Sequence, residues 1–415
     1  MTAVAPPALE HFRSQARAWL AAHAQPRGSA QVRGSGSDNV AVFHDLSDEA
    51  ELDLLARLAA WQQLKIDGGF GALSWPAEFG GRGLDPGYED VFSEEEARFE
   101  TPAHHELVSV TLHLIAPTLR LLGSPELRDR LLMPLLRAEQ LCCQLFSEPG
   151  AGSDLAGLAT RAVRDGDEWV INGQKVWSSG ARFAQWGELI ARNDPDVPKH
   201  AGMTAFLLPM DTPGVEVRPL RQMSGGRSFC EVFLTNVRIP DSLRIGEVGG
   251  GWQVALTTLG FERGNSSNTA DVGGNFAGLL ELARWLGKAD DPAVRTDLAW
   301  VYAHEFLATV ANQRDQQARQ SGEPLGPVGS MRKLQWVAKL TLISEVASRL
   351  LGPRLAADSG EWGTFAWTEH VLGAPGYRIA GGSDEVQRNI IAERMLGLPQ
   401  ETRYDKGIAW RDIPR

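Results

Sequence analysis

The spacing of hydrophobic residues divides the chain into three parts. In the first part these residues recur every three or four positions, which is typical of helices with one buried face. The predicted helices are 11–23, 48–66, 87–99, 107–122 and 126–137. Before the last of them, Ser124 offers an N-cap hydroxyl and Pro125 suits a first helical turn. The chain is therefore expected to begin with an all-helical region.

From about residue 142 to 244 the hydrophobic period changes to two, as in strands with one buried face. The predicted strands are 168–171, 174–177, 204–208, 214–220 and 229–239. Asn172-Gly173 stands between the first two, and this pair favours a two-residue hairpin turn because both turn positions need positive φ. The middle of the chain is therefore predicted to be a β domain.

Helical spacing returns in the last part of the chain. The predicted helices are 252–286, 292–320, 328–351 and 383–396. A chain of 415 residues is too long for one ordinary core. We expect an α+β fold with domains over 1–141, 142–244 and 245–415, the outer two helical and the middle one β.

Composition narrows the class of function. The net charge is −11 and no Lys/Arg-rich run occurs, so a nucleic-acid partner is not expected. The three cysteines and the scattered histidines show neither disulfide nor metal spacing, which predicts a cytoplasmic location and no metal. No export signal is visible, and the longest apolar stretch, 107–123, is interrupted by His113, Pro117 and Arg120. No membrane span is expected.

The segment 144–154 has the clearest binding character in the chain. Pro149, Gly150 and Gly152 oppose a regular helix and let the main chain approach a ligand, while Ser147 and Ser153 supply hydroxyls. Such a loop suits a polar planar ligand or a phosphate. From the loop alone, an ordinary Gly-rich turn between a helix and a strand explains it equally well.

Three motifs in a fixed order resemble those of the acyl-CoA dehydrogenase family. They are Leu145-Phe146-Ser147-Glu148-Pro149-Gly150-Ala151-Gly152-Ser153-Asp154, then Lys175-Val176-Trp177-Ser178-Ser179, and Gly381-Gly382-Ser383-Asp384-Glu385-Val386-Gln387-Arg388-Asn389-Ile390-Ile391-Ala392-Glu393-Arg394. The resemblance covers nearly the whole chain. It implies a middle domain that is antiparallel and barrel-like and a C-terminal four-helix bundle.

The resemblance also implies an activity. Members of this family oxidise an acyl-CoA thioester between Cα and Cβ, pass a hydride to FAD, and later give electrons to an electron-transferring flavoprotein. They are commonly homotetramers. This chain is accordingly expected to be an FAD-dependent oxidoreductase of lipid metabolism.

Roles follow for the motif residues from the same resemblance. Gln144, Phe146 and Ser147 would hold the flavin ring, Trp177 would pack on its face, and Ser179 would reach it near N5. In the same loop, Ser153 would contribute to the cofactor site and contact the pantetheine arm of CoA.

The C-terminal motif brings two further candidates. Ser383 and Glu385 match the family's contacts to the flavin nucleotide. A Ser before an acidic first turn is equally an N-cap, so a structural role stays open for this pair.

The catalytic base requires a separate argument, because a thioester α-proton is weakly acidic and needs a positioned carboxylate. Much of the family carries that glutamate at the position of Gly381. The isovaleryl and long-chain branches instead supply it from the position that matches Glu262. Spacing along the predicted helix puts Glu262 on the same stripe as Ala255 and Leu259, facing inward. We therefore assign the base to Glu262, with a buried glutamate paired to an arginine as the alternative.

Two neighbouring roles complete the expected site. In the family the backbone N–H at the position of Gly381 helps hold the thioester carbonyl oxygen, and a glycine can still donate that bond. Arg263 would lie close to the substrate, although a structural ion pair explains it as well. The small residues that follow Glu262 suggest room for a branched or bulky acyl group.

One departure from the family pattern affects assembly. Many members have Arg-x-x-Phe-Gly and Gln-x-x-Gly-Gly-x-Gly segments by which a neighbouring subunit clamps FAD, and neither is recognisable in the regions 289–294 and 361–376. Three hypotheses follow: a complete dehydrogenase, one subunit of a heterotetramer, or a flavoprotein of the same fold, such as a monooxygenase or scaffold, that no longer dehydrogenates thioesters.

Overall fold

The computed structural model describes residues 9–27, 40–264, 272–320, 327–357, 359, 361 and 364–414. Its first part is helical, as predicted. The helices are α1 (Leu9–His23), α2 (Asp48–Asp67), α3 (Gly87–Glu96), α4 (Glu106–Val110), α5 (Ala116–Leu122) and α6 (Pro125–Leu136). Ser124 caps α6 by accepting a hydrogen bond from the N–H of Leu127 at 3.2 Å, and Pro125 occupies the first turn.

Helices α4 and α5 form one helical run that is interrupted by a π-helical segment. The segment, Thr111–Ile115, ends immediately before the first turn of α5, where Pro117 has no N–H to donate. The prediction of a single helix over 107–122 is therefore confirmed in extent, with a widened turn at its centre.

The middle part forms one mixed but mainly antiparallel sheet. Its strands are β1 (Cys142–Leu145), β2 (Arg161–Asp165), β3 (Glu168–Ser179), β4 (Trp186–Arg192), β5 (Met203–Pro209), β6 (Val215–Leu220), β7 (Phe229–Pro240) and β8 (Arg244–Ile245). The order is β6-β7-β3-β2-β4-β5-β8, and β1 also pairs with β4. The β1–β4 and β2–β4 pairs are parallel.

The predicted hairpin at Asn172-Gly173 is wrong. These residues lie inside β3, which runs unbroken past them, and the two-residue turn is Gly166-Asp167 between β2 and β3. A glycine is needed at 173 for another reason: a Cβ there would lie 2.7 Å from the Cα of Thr160. The pair therefore marks a close approach of two chain segments and a register shift against β7.

The last part is again helical. Its helices are α7 (Gly251–Gly264), α8 (Phe276–Trp285), α9 (Pro292–Gln320), α10 (Val328–Leu351), α11 (Thr364–Tyr377) and α12 (Asp384–Arg394). α10 packs against the other five. The prediction of one helix over 252–286 is wrong, because residues 272–275 are not helical and Asn275 caps α8; residues 265–271 lie outside the described chain. Helix α11 was not predicted.

The hydrophobic core crosses the boundaries of the three parts. One continuous cluster joins Leu107 and Leu131 of the first helices, Phe206 of β5 and Ala255 of α7. A second cluster lies among α8, α9 and α10. Within the described residues, no helix combines the length and apolar character that crossing a membrane requires.

Candidate active site

The loop after β1 closes on itself. The N–H of Glu148 donates to the carbonyl of Ala151 and the N–H of Ala151 donates back, both at 3.0 Å, with Pro149 and Gly150 at the exposed end. A Cβ built on Gly150 or Gly152 meets no atom within 4 Å. The loop is therefore open at Gly150 and Gly152, while Ala151 between them is buried.

A buried ion pair holds this loop to β3. Lys175 has no exposed surface, and its Nζ donates to Glu148 Oε1 at 2.8 Å and to the carbonyl of Phe146 at 3.0 Å. Glu148 also accepts from the N–H groups of Ala159 and Thr160. Burial opposes ionisation, but Lys175 and these donors outweigh it and lower the pKa of Glu148. The carboxylate is thus held charged under the loop.

Trp177 projects outward beside the same loop. Its φ is +62°, a left-handed conformation that costs energy for a bulky residue, and 61% of its surface is exposed. β3 bulges here, because three steps from Lys175 to Ser178 match two steps on β7. The N–H of Val176 donates to the carbonyl of Ser147 at 2.9 Å. The bulge therefore turns Trp177 away from the sheet next to Ser147.

A row of aromatic rings leads from Trp177 to the C-terminal helices. Trp177 contacts Phe229 of β7 edge to face at 6.0 Å, Phe229 contacts Phe43 at 5.1 Å, and Phe43 stacks on Tyr377 at 5.0 Å between ring centroids. Tyr377 ends α11, four residues before Gly381. The second and third sequence motifs are thereby joined through three ring contacts.

The turn between α11 and α12 carries the third motif. Gly381 and Gly382 have φ of +67° and +89°, and the carbonyl of Gly381 accepts a hydrogen bond from Gln387 Nε2 at 2.7 Å. The N–H of Gly381 has no acceptor among the described residues. Ser383 caps α12 by accepting from the N–H of Val386, which is the structural role left open for it.

Glu385 is exposed on the first turn of α12, where its own N–H, the Ser383 hydroxyl and Arg388 favour the charged form and lower its pKa. Both Ser383 and Glu385 thus lie at the positive end of a helix, where an anionic group is favoured. Neither contacts Trp177 in this chain.

Helix α7 carries the predicted base. Its backbone is described through Gly264, whereas the side chains of Glu262 and Arg263 lie outside the described residues. Thr258 and Ala255 are fully buried, and position 262 follows Thr258 by one turn on the same helix face. The assignment of the base to Glu262 therefore stays a prediction.

An unpredicted glutamate connects α7 to the sheet next to β1. Glu188 of β4 is fully buried and accepts a hydrogen bond from Thr258 Oγ1 at 2.7 Å, while its Oε2 has no partner among the described residues. Its neighbour across the parallel pair is Gln144, whose Nε2 is also buried and unpartnered there. Burial raises the pKa of Glu188 to about 8. Burial thus favours the neutral form of this carboxyl.

Three other side chains meet in the first part of the structure in a way that resembles a metal site. His44, Glu51 and His105 bring one ligand atom each within 4.8 Å of one another. His105 Nδ1 accepts the N–H of Leu107, so its Nε2 carries the proton and donates to Glu51 at 3.0 Å. Arg182 binds the other oxygen of Glu51. Both ring nitrogens of His105 already have hydrogen-bond partners, and the Arg182 guanidinium binds Glu51. We therefore interpret this cluster as stabilising the fold rather than as a metal site.

Comparison with known proteins decides the family. Family models of the acyl-CoA dehydrogenase N-terminal, middle and C-terminal domains match residues 7–139, 143–237 and 249–396. The acyl-CoA dehydrogenase IpdE1 of Mycobacterium tuberculosis is 38% identical over 401 residues, which are 95% of this chain and 99% of that protein. The chain belongs to the acyl-CoA dehydrogenase family. It is an oxidoreductase of that family, whose members are flavoproteins.

Solved structures of acyl-CoA dehydrogenases share the fold over nearly the full length. A steroid acyl-CoA dehydrogenase, Tcur3481-Tcur3483, superimposes with a TM-score of 0.74 at 27% identity, covering 97% of this chain and all of that one. The ChsE4-ChsE5 complex from Mycobacterium tuberculosis gives 0.72 at 26%, with coverage of 97% and 100%. The expected arrangement of helical, β and helical domains is confirmed.

Sequence reasoning missed two residues that hold the candidate site together, Lys175 and Glu188. Lys175 lay inside a quoted motif, yet its role depends on alternation: Trp169, Ile171, Gly173 and Lys175 share one strand face. Because a turn was predicted at Asn172-Gly173, the alternation could not be followed from Ile171 to Lys175. Glu188 had a comparable signal, an acidic residue in an otherwise apolar strand, and it was not used.

Proposed function

We propose that the chain is an FAD-dependent acyl-CoA dehydrogenase that removes hydrogen from Cα and Cβ of an acyl-CoA thioester. The observation that carries this proposal is Trp177, an exposed aromatic residue held at positive φ beside the Ser147 loop. A strained and exposed tryptophan destabilises a protein unless a ligand uses it. A planar flavin ring is the ligand that this surface and the family both support.

The residues around Trp177 suit such a ring. The hydroxyls of Ser147 and Ser179 make no hydrogen bond to the described protein, and buried polar atoms of Gln144 and Ser178 lack partners there. Unpartnered polar groups at the edge of an open loop are available to the heteroatoms of a flavin. When bound, FAD would supply the acceptor for the hydride that leaves Cβ, at flavin N5.

The protein's own part in the reaction begins with Glu262. Its carboxylate takes the α-proton, and the support is its match to the position of the base in the isovaleryl and long-chain branches, on the same helix as the buried Thr258. The N–H of Gly381, free among the described residues, donates to the thioester carbonyl oxygen and stabilises the negative charge that develops there. Arg263, next to the base in sequence, binds the substrate. Ser153 binds the pantetheine arm.

For the acyl group, we propose a bulky or branched structure of the steroid type. The support is similarity to a steroid acyl-CoA dehydrogenase and the small residues that follow the base, Gly264, Asn265, Ser266 and Ser267. For turnover, the electron acceptor is an electron-transferring flavoprotein, as the family implies.

A second candidate function is that of one subunit in a heteromeric dehydrogenase. The specific support is the missing pair of FAD clamp segments, together with similarity to the ChsE4-ChsE5 complex. Helix α9 also exposes a set of large apolar side chains, which is typical of a surface that another subunit covers. These residues are Trp300, Tyr302, Phe306, Leu307 and Val310. A homotetramer covers the same surface with a second copy.

Flavin reduction tests these proposals directly. The purified chain is examined for bound FAD, and its flavin absorbance is followed after mixing with straight, branched and steroid-type acyl-CoAs. We expect Glu262→Gln to lower the reduction rate by at least about 10³-fold with FAD retained. Glu247→Gln is the matched control, because Glu247 is 96% exposed just before α7.

Each other result has a distinct meaning. An FAD-loaded chain that no thioester reduces would contradict dehydrogenase activity and favour the monooxygenase or scaffold alternative. A chain that holds FAD only after a homologous subunit is added supports the heteromer. Full activity in Glu262→Gln would show that another residue is the base.

A further inference from the structure

Lys199 lies between the loop that contains Ser153 and a later segment, residues 403–411, which we call the tail. Its side chain is only 9% exposed, and Nζ contacts both carboxylate oxygens of Asp154 at 2.7 and 2.8 Å and Asp405 at 2.6 Å. Asp154 immediately follows Ser153. Arg403 and Lys199 lower the pKa of Asp405 well below its usual range, so the ammonium bridges two charged carboxylates.

The tail that supplies Asp405 is bound along the segment before Lys199. Ala409 pairs with Pro198, the N–H of Trp410 donates to the carbonyl of Val197 at 2.9 Å, and the N–H of Arg411 donates to Pro195 at 3.1 Å. These are main-chain contacts, so they do not depend on side-chain identity. The tail is therefore part of the middle domain's packing although it follows α12 in sequence.

Trp410 extends this support to the far end of the loop. Its ring lies 4.5 Å from the guanidinium carbon of Arg192, and its Nε1 donates to the carbonyl of Gly157 at 3.3 Å. Arg192 donates in turn to the carbonyls of Ala156 and Leu158 at 2.6 and 3.0 Å. Within residues 154–158, Lys199 thus binds the carboxylate of Asp154. Arg192 and Trp410 bind the carbonyls of the last three residues.

Contacts next to Lys199 also reach the helix that carries the base. His200, next to Lys199, packs edge to face on Trp252 in the first turn of α7 at 4.8 Å between ring centroids. The N–H of Gly249 donates to Thr204 Oγ1 at 3.0 Å, which fixes the chain just before that helix. Movement of Lys199 would therefore be transmitted to both walls of the proposed thioester site.

We propose that Lys199, supported by the tail residues Asp405 and Trp410, is a positioning residue that sets the conformation of the Ser153 loop for binding the pantetheine arm of CoA. The inference rests on the proposed function, because it takes Ser153 as the pantetheine contact. It adds that residues of the tail contribute to the affinity for the thioester through the Ser153 end of segment 144–154. The ligand proposed for that end is a CoA thioester.

The test compares acyl-CoA with the same acyl group on N-acetylcysteamine, which lacks most of the pantetheine arm. Lys199→Met and Trp410→Ala are expected to raise KM for the acyl-CoA about tenfold, with kcat and FAD content nearly unchanged in the folded variants. KM for the shorter thioester should change less than about twofold. Tyr404→Ala is the control, because Tyr404 is an aromatic residue of the same tail that is 88% exposed.

If Lys199→Met folds poorly, Asp405→Asn is the second variant. In that variant Lys199 keeps its ion pair with Asp154. Equal increases of KM for both thioesters, or unchanged KM for both, would overturn it. Calorimetric binding of free CoA reports the loop without the reaction. A chain that binds CoA with weaker affinity in Trp410→Ala, yet reduces no flavin, supports the positioning role while the proposed function fails.

Discussion

Two glutamates, both buried against the sheet beside the proposed site, are held in opposite ways. Glu148 binds Lys175 and two backbone N–H groups, and its pKa is lowered, whereas Glu188 binds one threonine hydroxyl and its pKa is raised to about 8. The first fixes the loop after β1. The second lies between that strand and α7. Burial raises the pKa of both carboxyls, but only Glu148 has a cation, Lys175, and two backbone donors that outweigh it.

The comparison shows how two elements beside the proposed site, the loop after β1 and helix α7, are attached to the sheet. The side of the Ser147 loop depends on a compensated ion pair, for which the loss of one partner is costly. The α7 side depends on Glu188, whose neutral form burial favours and which binds Thr258 of that helix. A carboxylate at position 188 would instead disfavour a second ionised carboxylate nearby.

The largest effect should come from Lys175→Met. This change leaves Glu148 buried without its cation and should lower the free energy of unfolding by about 3–5 kcal/mol, with loss of bound FAD. Urea unfolding and flavin absorbance measure both. Adding Glu148→Gln should recover part of the loss, and a double variant as unstable as the sum of its single changes would show that the pair is not coupled.

A pH-dependent effect should come from Glu188→Gln. Because folding raises the pKa of Glu188 from 4.5 to about 8, the folded chain holds a proton that the unfolded chain releases. Wild-type stability should therefore fall relative to Glu188→Gln by about 1.4 kcal/mol per pH unit between pH 5 and 8, then level off. Urea midpoints at five pH values check this. Parallel curves would mean that Glu188 does not titrate there; Glu216→Gln, on an exposed residue, is the control.

The smallest effect should come from Thr258→Val. It removes the one hydrogen bond that Glu188 accepts in the described chain, together with the 3.0 Å contact between the Thr258 and Thr118 hydroxyls, and should cost about 1 kcal/mol at pH 6. Thr257→Val is matched to it, because Thr257 bonds only the carbonyl of Gln253 on its own helix. If both valine variants lost equal stability, the Thr258–Glu188 contact would not stabilise the attachment of α7.

The fold could be predicted from the sequence wherever one face of an element is buried. Helices α9 and α10 agree with the predicted limits of 292–320 and 328–351 because their patterns are long. Strand β4 escaped prediction because all seven of its residues are buried and no alternation remains. Asn172-Gly173 misled because its turn propensity was overruled by the tertiary contact between Gly173 and Thr160.

Only the candidate residues that lie in the three sequence motifs could be predicted. The Ser147 loop and Trp177 are adjacent, as the motifs implied, whereas Ser383 also caps a helix and Lys199 gave no local signal. Lys199 acquires its role from Asp154 and Asp405, which lie 45 residues before it and far beyond it in the chain. Contacts between residues so distant cannot be derived from the pattern of one sequence.

The continuous core that joins α4 to α6 with the sheet has a consequence for how such chains can be dissected. A cut at 141 would separate Leu131 and Leu135 from Leu145 and Phe206, all of which lie in one cluster. Each fragment would expose an apolar surface and be prone to aggregate. The boundary seen in sequence periodicity is thus not a boundary of stability, and because Ala255 belongs to the same cluster, the first two parts and α7 must be expressed, exchanged or inherited together.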